Sequence, residues 1–380
     1  MKKGAAVAVM IFLTAMLLGG CWNYRGLNEM SITAGVAIDR ETDTGLYHLS
    51  IEYIDLTKPV KQQGIKAGLL ESYGTTLFDA VRNAKKRIVN KVYLGHTGLL
   101  VLGEDVAQNT DISTIIDLFL RDAECRETMC VAVSQEPKAK DLLSIEGIGQ
   151  PMVAFEIQKI IEEDHKVTSS IPYVELYEIY NILNSPGIEL ALPAFHNTMN
   201  DGEPASEANG TAVFRGERLV GYLTPEETRY FLFATNEVQG GVITCASQEG
   251  GPEDATLEIS KSETKTSFDY QNGQLTMDIE TETDVFLDET VEPMDALDKP
   301  AIKTLETGAA QKVVKGIGNV IEKVRTDFGS DIFGFGNKIY KRDLKLWKQL
   351  QDQWDDVFRT MAVNVKGRVN IINTASIKKS

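Results

Sequence analysis

The first 21 residues, MKKGAAVAVMIFLTAMLLGGC, constrain the fate of this chain more than any other feature. Lys2 and Lys3 give a positively charged start, and the run from Gly4 to Gly20 carries no charge. A run of this length is long for the apolar region of a signal peptide and short for a membrane-spanning helix. The sequence therefore predicts an export segment, with an uncleaved membrane helix as the alternative.

The end of the run, Leu18-Gly19-Gly20-Cys21, favours the export segment. Small residues at the two positions before the cysteine fit a narrow peptidase site, and a leucine at the third position fits an apolar subsite. The pattern resembles the bacterial lipobox, whose cysteine is alkylated with diacylglycerol and whose amine is acylated after cleavage. We predict that residues 1–20 are a lipoprotein signal peptide and that Cys21 is lipidated. Acyl chains contribute ~0.8 kcal/mol per buried CH2, so two or three hold a protein firmly.

The charge of the chain limits its partners. The formal net charge is −16, and it becomes −18 when Lys2 and Lys3 leave with the signal peptide. Such an acidic protein has no electrostatic reason to bind nucleic acid, and anionic lipid headgroups repel it weakly. We therefore expect the lipid, and not a basic patch, to attach the protein to its membrane.

Three cysteines remain if Cys21 carries lipid: Cys125, Cys130 and Cys245. Because three is an odd number, they cannot all pair within one chain. Cys125 and Cys130 have the spacing of half a metal site, but no second Cys or His pair completes it. We interpret them as small buried thiols and predict neither a metal site nor a cofactor.

Residues 21–196 alternate strand and helix patterns, which predicts an N-terminal α+β domain. Residues 31–54 have the pattern of a β-hairpin, and apolar and polar residues alternate from Tyr47 to Tyr53 as in a half-buried strand. A helix begins at about Thr76. Further strands are predicted at 92–103 and 128–133, and further helices at 111–122, 138–143, 152–163 and 174–183.

A second domain is predicted after residue 209. The polar segment 197–209, NTMNDGEPASEAN, has the composition of a linker. Residues 210–380 contain strand patterns on both sides of the Asn272-Gly273 turn and a long helix at 300–328. We expect a C-terminal α+β domain with an antiparallel sheet and the long helix packed on it. The predicted fold class is therefore multi-domain α+β, with mixed or antiparallel sheets and packed helices.

Few residues offer chemistry. The four histidines, His48, His96, His165 and His196, form no metal-ligand pair, and no G-x-S-x-G or Walker A motif occurs. His96 lies between apolar segments and is interpreted as a core histidine. The acidic row Asp278, Glu280 and Glu282 could serve a hydrolase, but alternating acids are more typical of a solvated sheet face. We predict that the chain is not an enzyme.

Several motifs follow one another in a recognisable order. They are CWNYRGLNE (21–29), YLGHTGLLVLGEDVA (93–107), FLRDAECR (119–126), LPAF (192–195), GTAVFRGERLVGYLTPEET (210–228) and SDIFGFG (330–336), with Trp347 and Trp354 after them. In this order they resemble the Ger(x)C lipoproteins, the C subunits of spore germinant receptors. Asn23 and Gly26 depart from the Asp and Glu usual in the first motif, so no role is carried over to these two side chains.

The resemblance implies a nonenzymatic subunit with a multi-domain α+β fold. It implies two integral-membrane partners, the A and B subunits, at the outer surface of the spore inner membrane. Such receptors respond to nutrients and trigger the release of ions and dipicolinate. Two alternatives remain: a surface lipoprotein that binds the nutrient itself, although no pair of similar βαβ halves is visible, and a surface hydrolase.

Overall fold

The computed structural model of the chain describes Gly4 and residues 29–55, 66–121, 124–248, 250–290 and 299–374. The rest of the predicted signal peptide and the predicted lipidation site, Cys21, lie outside the described residues. No helix within them has the length and apolar character needed to cross a membrane.

A nine-stranded mixed sheet occupies the N-terminal half. The strand order is β3-β2-β1-β5-β6-β7-β8-β9, and the short β4 pairs with the start of β1. The strands are β1 (Met30–Arg40), β2 (Tyr47–Asp55), β3 (Lys66–Gly74), β4 (Lys91–Tyr93), β5 (Leu99–Gly103), β6 (Cys130–Ser134), β7 (Ala191–Asn200), β8 (Glu203–Arg215) and β9 (Arg218–Leu223).

The four central strands of this sheet, β1, β5, β6 and β7, run parallel to one another. Their first residues, Met30, Leu99, Cys130 and Ala191, therefore lie along one edge of the sheet, which we call the amino edge. Because β8 is antiparallel to β7, the turn between β8 and β9 also lies at the amino edge.

Helices cover both faces of the sheet. One face packs against α1 (Leu77–Ala84), α2 (Glu104–Asn109), α3 (Ile112–Arg121) and α6 (Leu176–Leu183). The other face packs against α4 (Lys140–Leu143) and α5 (Val153–Val167). Central parallel strands buried on both faces are expected to be almost wholly apolar, as LLVLG in β5 and CVAVS in β6 are.

The prediction that β2 is half-buried is wrong, because the second face is covered by α4 and α5. Leu49 and Ile51 face the core as expected, while His48 and Glu52 on the opposite face are only 1% and 2% exposed. Glu52 is buried with a partner: its carboxylate accepts hydrogen bonds from the first two backbone N–H groups of α5, at 2.9 and 2.8 Å. The polar positions of β2 are therefore buried with partners: Glu52 anchors α5, and His48 contacts Glu71 of β3.

A four-stranded sheet forms the core of the C-terminal half, in the order β10-β11-β12-β13. Its strands are β10 (Val242–Ala246), β11 (Glu253–Gln271), β12 (Gln274–Thr290) and β13 (Ala362–Thr374). The hairpin predicted at Asn272-Gly273 is confirmed, because both residues adopt positive φ angles, 53° and 83°, between β11 and β12.

The prediction of a fully antiparallel C-terminal sheet is wrong at its last strand. β13 runs parallel to β12, because the chain between them forms a long helical crossover that returns it in the same direction. The crossover contains α8 (Lys299–Lys323), α9 (Phe335–Arg342), α10 (Leu344–Leu350) and α11 (Trp354–Thr360). A further helix, α7 (Pro225–Thr235), lies earlier in the chain and connects β9 of the first sheet to β10 of the second.

The long helix predicted at 300–328 is confirmed. It consists of α8, continued by a π-helical turn from Val324 to Phe328. Its apolar face packs on the second sheet, where Leu305, Ala309, Val313 and Ile317 are at most 1% exposed. Two sheets with packed helices agree with the predicted α+β class.

The linker predicted at 197–209 is not present as an irregular segment. Residues 197–200 end β7, residues 203–209 begin β8, and they pair across the Asp201-Gly202 turn. The segment is polar because the end of this hairpin, residues 199–204, is exposed. Since β8 and β9 pair into the first sheet, the strands at 210–223 complete the N-terminal sheet.

Candidate interaction site

Two of the sequence motifs meet at the amino edge. The YLGH motif ends in a 3-10 turn, and Arg126, the last residue of FLRDAECR, donates from Nη2 to Nδ1 of His96 over 2.8 Å. The ring of Tyr93 lies edge-on to the His96 ring at 5.9 Å. His96 and Arg126 are both exposed, so the interpretation of His96 as a core histidine is wrong.

A cavity of about 270 Å³ lies beside this pair. Thr97 is wholly buried in its wall, and its hydroxyl has no hydrogen-bond partner among the described residues. The cavity is lined by Ile32, Ile54, His96, Thr97, Gly98, Arg126, Thr128, Met129, Phe155 and Gln158. A guanidinium group, a free hydroxyl and an amide beside apolar side chains could hold a small polar molecule.

The helix α6 continues the amino edge from this cavity toward β7. Backbone hydrogen bonds fasten its start to the residues before β6, from Leu176 to Met129 and from Tyr177 to Glu127, both at 3.0 Å. Its apolar side packs into the core, while Tyr177 and Tyr180 are 39% and 47% exposed. Exposed aromatic rings therefore lie on the same edge as His96 and Arg126.

The SDIFGFG motif connects the two sheets. Asp331 is only 3% exposed, and its carboxylate accepts the backbone N–H groups of Phe335 at 3.1 Å and Gly336 at 2.9 Å. Its carbonyl oxygen accepts from the N–H of Glu189, just before β7, at 3.0 Å. Burial raises the pKa of Asp331 to about 7, although the two N–H groups act in the opposite direction. The buried carboxylate of Asp331 thus fixes the turn of the motif, and its backbone carbonyl joins that turn to the first sheet.

The next turn of the chain docks α9 on the same place. Asn337 donates its backbone N–H to the carbonyl of Gly187 at 2.7 Å and its side-chain amide to the carbonyl of Pro186 at 2.9 Å. Trp347 and Trp354, singled out from the sequence, contact each other at this junction, with ring centres 5.4 Å apart and ring planes tilted by 58°. The two tryptophans are therefore structural parts of the joint between the sheets.

The FRGERL motif forms the opposite side of the joint, at the turn between β8 and β9. Arg215 forms an ion pair with Asp355 of α11, and the N–H of Gly216 donates to Glu189 at 2.7 Å. Arg218 forms an ion pair with Asp111 at 3.0 Å, before α3. The turn therefore contacts the N-terminal sheet, its helices and the C-terminal helices together.

The remaining residues singled out from the sequence lie outside these clusters. Asp278, Glu280 and Glu282 lie on the solvent side of β12, where Lys366 and Asn370 of β13 contact the last two, which confirms the solvated-face interpretation. Glu280 and Glu282 do line an open groove with Glu263, but Lys265, Lys366 and Arg368 line the same groove and pair with these carboxylates. Within the described ranges, no three His, Cys, Asp or Glu side chains are placed to hold a metal ion.

The prediction that the cysteines are buried thiols is confirmed in part. Cys130 and Cys245 are buried thiols, and burial raises their pKa values to about 12 and about 11. Cys125 is only partly buried and packs against the core of the first sheet. The surroundings of Cys130 and Cys245 favour the thiol form, which is unreactive as a nucleophile.

Two buried acids were missed by the analysis of the sequence. Asp39 at the end of β1 accepts the backbone N–H groups of Ala139 at 2.7 Å and Lys140 at 3.1 Å, and Glu52 does the same for α5. The sequence held two signals for these contacts. An acid lies in an otherwise apolar strand, and a helix far along the chain begins without a capping side chain of its own.

Two family models match most of the chain. The model described as "Spore germination protein N-terminal domain" matches residues 23–197, and "Spore germination B3/ GerAC like, C-terminal" matches residues 209–375. The chain belongs to the spore germination B3/GerAC-like family. Both the His96–Arg126 pair and the joint around Asp331 lie within the matched ranges.

Relatives of this family in Bacillus subtilis (strain 168) align along nearly the whole chain. Spore germination protein YndF is 24% identical over 100% of this chain and 98% of its own length. Spore germination protein B3 is 24% identical over 100% of both chains. Spore germination protein KC is 22% identical over 98% of this chain and 97% of its own length.

The crystal structure of the GerBC protein has the same fold. It superposes with a TM-score of 0.59 at 21% identity and covers 92% of this chain and 100% of its own. The likeness extends over both sheets of this chain, since 92% of it is covered.

Proposed function

We propose that this chain is a lipid-anchored, nonenzymatic subunit of a spore nutrient receptor. It acts with two integral-membrane subunits, A and B, at the outer face of the spore inner membrane, and it is needed for the receptor to trigger germination. The observation that carries the proposal is the match of both halves of the chain to spore germination families.

The exposed motif pair at the amino edge supports a docking role. His96 and Arg126 bind each other at the surface, although residues that only support a core would be buried. The Nδ1 atom of His96 already accepts from a guanidinium group, so that nitrogen is a poor general base. Recognition of a partner suits this arrangement better than catalysis.

The amino edge is also the part of the fold that a lipid on Cys21 would hold nearest the membrane. β1 starts at Met30, nine positions after Cys21. Nine residues span at most about 32 Å when fully extended. A and B, as membrane proteins, would therefore meet the amino edge first, with the exposed His96–Arg126 pair available to them.

The test uses a strain that lacks this chain and its paralogues. We expect nutrient germination to fail there and to return with the wild-type chain. Arg126→Ala should restore it poorly and should co-isolate less A and B, while the protein level stays normal because the side chain is exposed. Arg121→Ala is the matched control, since this arginine is 82% exposed and its ion pair is with Asp117, one turn away in the same helix. Normal nutrient germination in the deleted strain would contradict the proposal.

A second candidate function is nutrient binding by the chain itself. The cavity beside Arg126, with its buried and unpartnered Thr97 hydroxyl, is the observation that favours it. The measurement is calorimetric titration of the full-length chain with germinant amino acids, sugars or inosine. Saturable binding that is lost in Gln158→Ala would support this candidate, and heats equal to buffer dilution would exclude it.

A further inference from the structure

A basic surface segment stands out on this acidic protein. Residues 338–348, which we call the basic segment, contain five cationic side chains and one acid, Asp343. The carboxylate of Asp343 caps α10 by accepting from the backbone N–H of Leu346 at 2.9 Å. The cations are Lys338, Lys341, Arg342, Lys345 and Lys348.

The cations of the basic segment lack the close ion pairs that other lysines of this half form. None of the five forms an ion pair within the part of the chain that the structure describes, whereas most other exposed lysines of the second sheet do. Four of them are exposed, and the fifth, Lys338, is partly buried. Burial lowers the pKa of Lys338, as do the charges of Arg342 and Lys341, while the charges of Asp331 and Glu237 act in the opposite direction. The four exposed cations therefore concentrate positive charge on this surface.

The basic segment lies at the amino edge. Its neighbour Asn337 is hydrogen-bonded to Pro186 and Gly187, which immediately precede β7. Lys341 follows Asn337 by one helical turn, a rise of roughly 6 Å. β7 and β1 are parallel and three strands apart, roughly 14 Å at the usual strand spacing. The start of the basic segment is thus on the same side of the molecule as Met30, and its Arg342 donates to the carbonyl of Thr266 in β11 of the second sheet.

Exposed aromatic and apolar side chains accompany these cations. Tyr340 and Leu344 are 40% and 49% exposed within the basic segment, and Tyr177 and Tyr180 are exposed on α6 between it and His96. Tyrosine combines an apolar ring with a polar hydroxyl, and such side chains are enriched at the level of lipid headgroups. Cations beside exposed tyrosines match the chemistry of an anionic membrane surface.

We propose that the basic segment and the exposed tyrosines of α6 dock on anionic phospholipid headgroups, so that the amino edge lies flat on the membrane. The contact fixes the orientation of the ectodomain and presents the His96–Arg126 pair beside the membrane subunits. From the net charge, we expected that no basic patch contributes to membrane attachment. Net charge is a sum over the whole surface, so it does not exclude a local cluster of cations. This inference rests on the proposed lipid anchor at Cys21, because the anchor brings this edge to the bilayer.

The test is lysine footprinting of the full chain, lipidated by its host and reconstituted in vesicles. One set of vesicles is phosphatidylcholine alone, and the other contains about 30 mol% phosphatidylglycerol. A membrane-impermeant acylating reagent labels exposed lysines, and mass spectrometry measures each site. Lys299 and Lys303, at the amino end of the roughly 37 Å long α8, are internal controls.

We expect labelling of Lys341, Lys345 and Lys348 to fall about fivefold in the anionic vesicles. A lysine near an anionic surface binds it more tightly by a factor of roughly five in the binding constant. About 0.5 M salt should restore it. The controls should not change. In a Lys341→Glu/Lys345→Glu variant the protection of Lys348 should disappear, whereas Lys299→Glu/Lys303→Glu should leave it intact.

The outcomes separate this inference from the proposed anchor. If the chain fails to float with vesicles in high salt, the lipid anchor is absent and the inference falls with it. If the chain floats but the basic segment is labelled equally in both kinds of vesicle, the inference alone is overturned. Equal protection in both vesicles would also overturn it, because the contact would not depend on anionic headgroups.

Discussion

Gly187 and Gly336 pack backbone against backbone where the two sheets join. A β-carbon on Gly336 would lie 2.8 Å from the Cα atom of Gly187 and equally close to the rings of Trp347 and Trp354. Gly187 precedes β7 of the first sheet, and Gly336 begins α9, which packs on the second. The SDIFGFG motif thus needs its last glycine because no side chain fits between the two halves.

Replacing Gly336 with alanine should weaken this joint. The added methyl group must displace the Gly187 backbone or the two indole rings, which is expected to cost about 1–3 kcal/mol. Gly318→Ala is the control, since a β-carbon there meets no atom within 4 Å, and it should stabilise α8 by about 0.5–1 kcal/mol. Denaturant unfolding of the three proteins measures both effects. A Gly336→Ala variant as stable as the wild type would contradict the packing described.

Asp331 should make the stability of the joint depend on pH. Burial raises its pKa from 3.8 to about 7, so the folded state holds the proton more tightly than the unfolded state. The stabilising contribution is therefore fully present below about pH 4 and is lost as the pH rises through about 7. Its size is of the order of a few kcal/mol.

The variant Asp331→Asn cannot titrate, which isolates this contribution. Asparagine disturbs one of the two N–H contacts at every pH. The comparison therefore concerns how the free energy of unfolding of each protein changes with pH, and not its absolute value. Urea unfolding at about pH 4.5, 6 and 7.5 should show a wild-type protein that loses stability relative to the variant as the pH rises. Parallel curves for the two proteins would show that Asp331 is not held protonated.

Glu52 is expected to be one of the most sensitive polar positions of the first sheet. Glu52→Ala leaves two N–H groups of α5 unpaired in a buried place, which should cost about 2–4 kcal/mol. Glu52→Gln keeps one acceptor oxygen and should cost less. Glu280→Ala, on the exposed face of β12, should stay within about 0.5 kcal/mol of the wild type. Equal stabilities of Glu52→Ala and Glu280→Ala would refute the capping role.

Local patterns predicted the features that depend on neighbouring residues. The Asn272-Gly273 turn, the apolar face of α8 and the alternation in β12 were all confirmed, because turn geometry and the periods of helix and strand are set within a few residues. The order of motifs also identified the family correctly.

Long-range pairing accounts for what the sequence did not predict. The polar face of β2 is buried by α4 and α5, which are about a hundred residues away in the chain. β13 is parallel to β12 because of the helical crossover between them. The residues of a strand do not indicate whether the neighbouring strand runs parallel or antiparallel to it. The predicted linker at 197–209 is an exposed hairpin end, whose composition resembles that of a loop. The meeting of His96 with Arg126 likewise depends on the parallel order of β1, β5 and β6.

The most direct test of the anchored-subunit account is Cys21→Ala in the spore, followed by membrane fractionation and measurement of the nutrient response. The account predicts that the variant leaves the membrane fraction and that nutrient-triggered release of dipicolinate falls, because the lipid holds the amino edge at the bilayer. A variant that stays in the membrane fraction and germinates normally would contradict it. In that case an uncleaved leader helix or tight contacts with the membrane subunits would hold the chain in place.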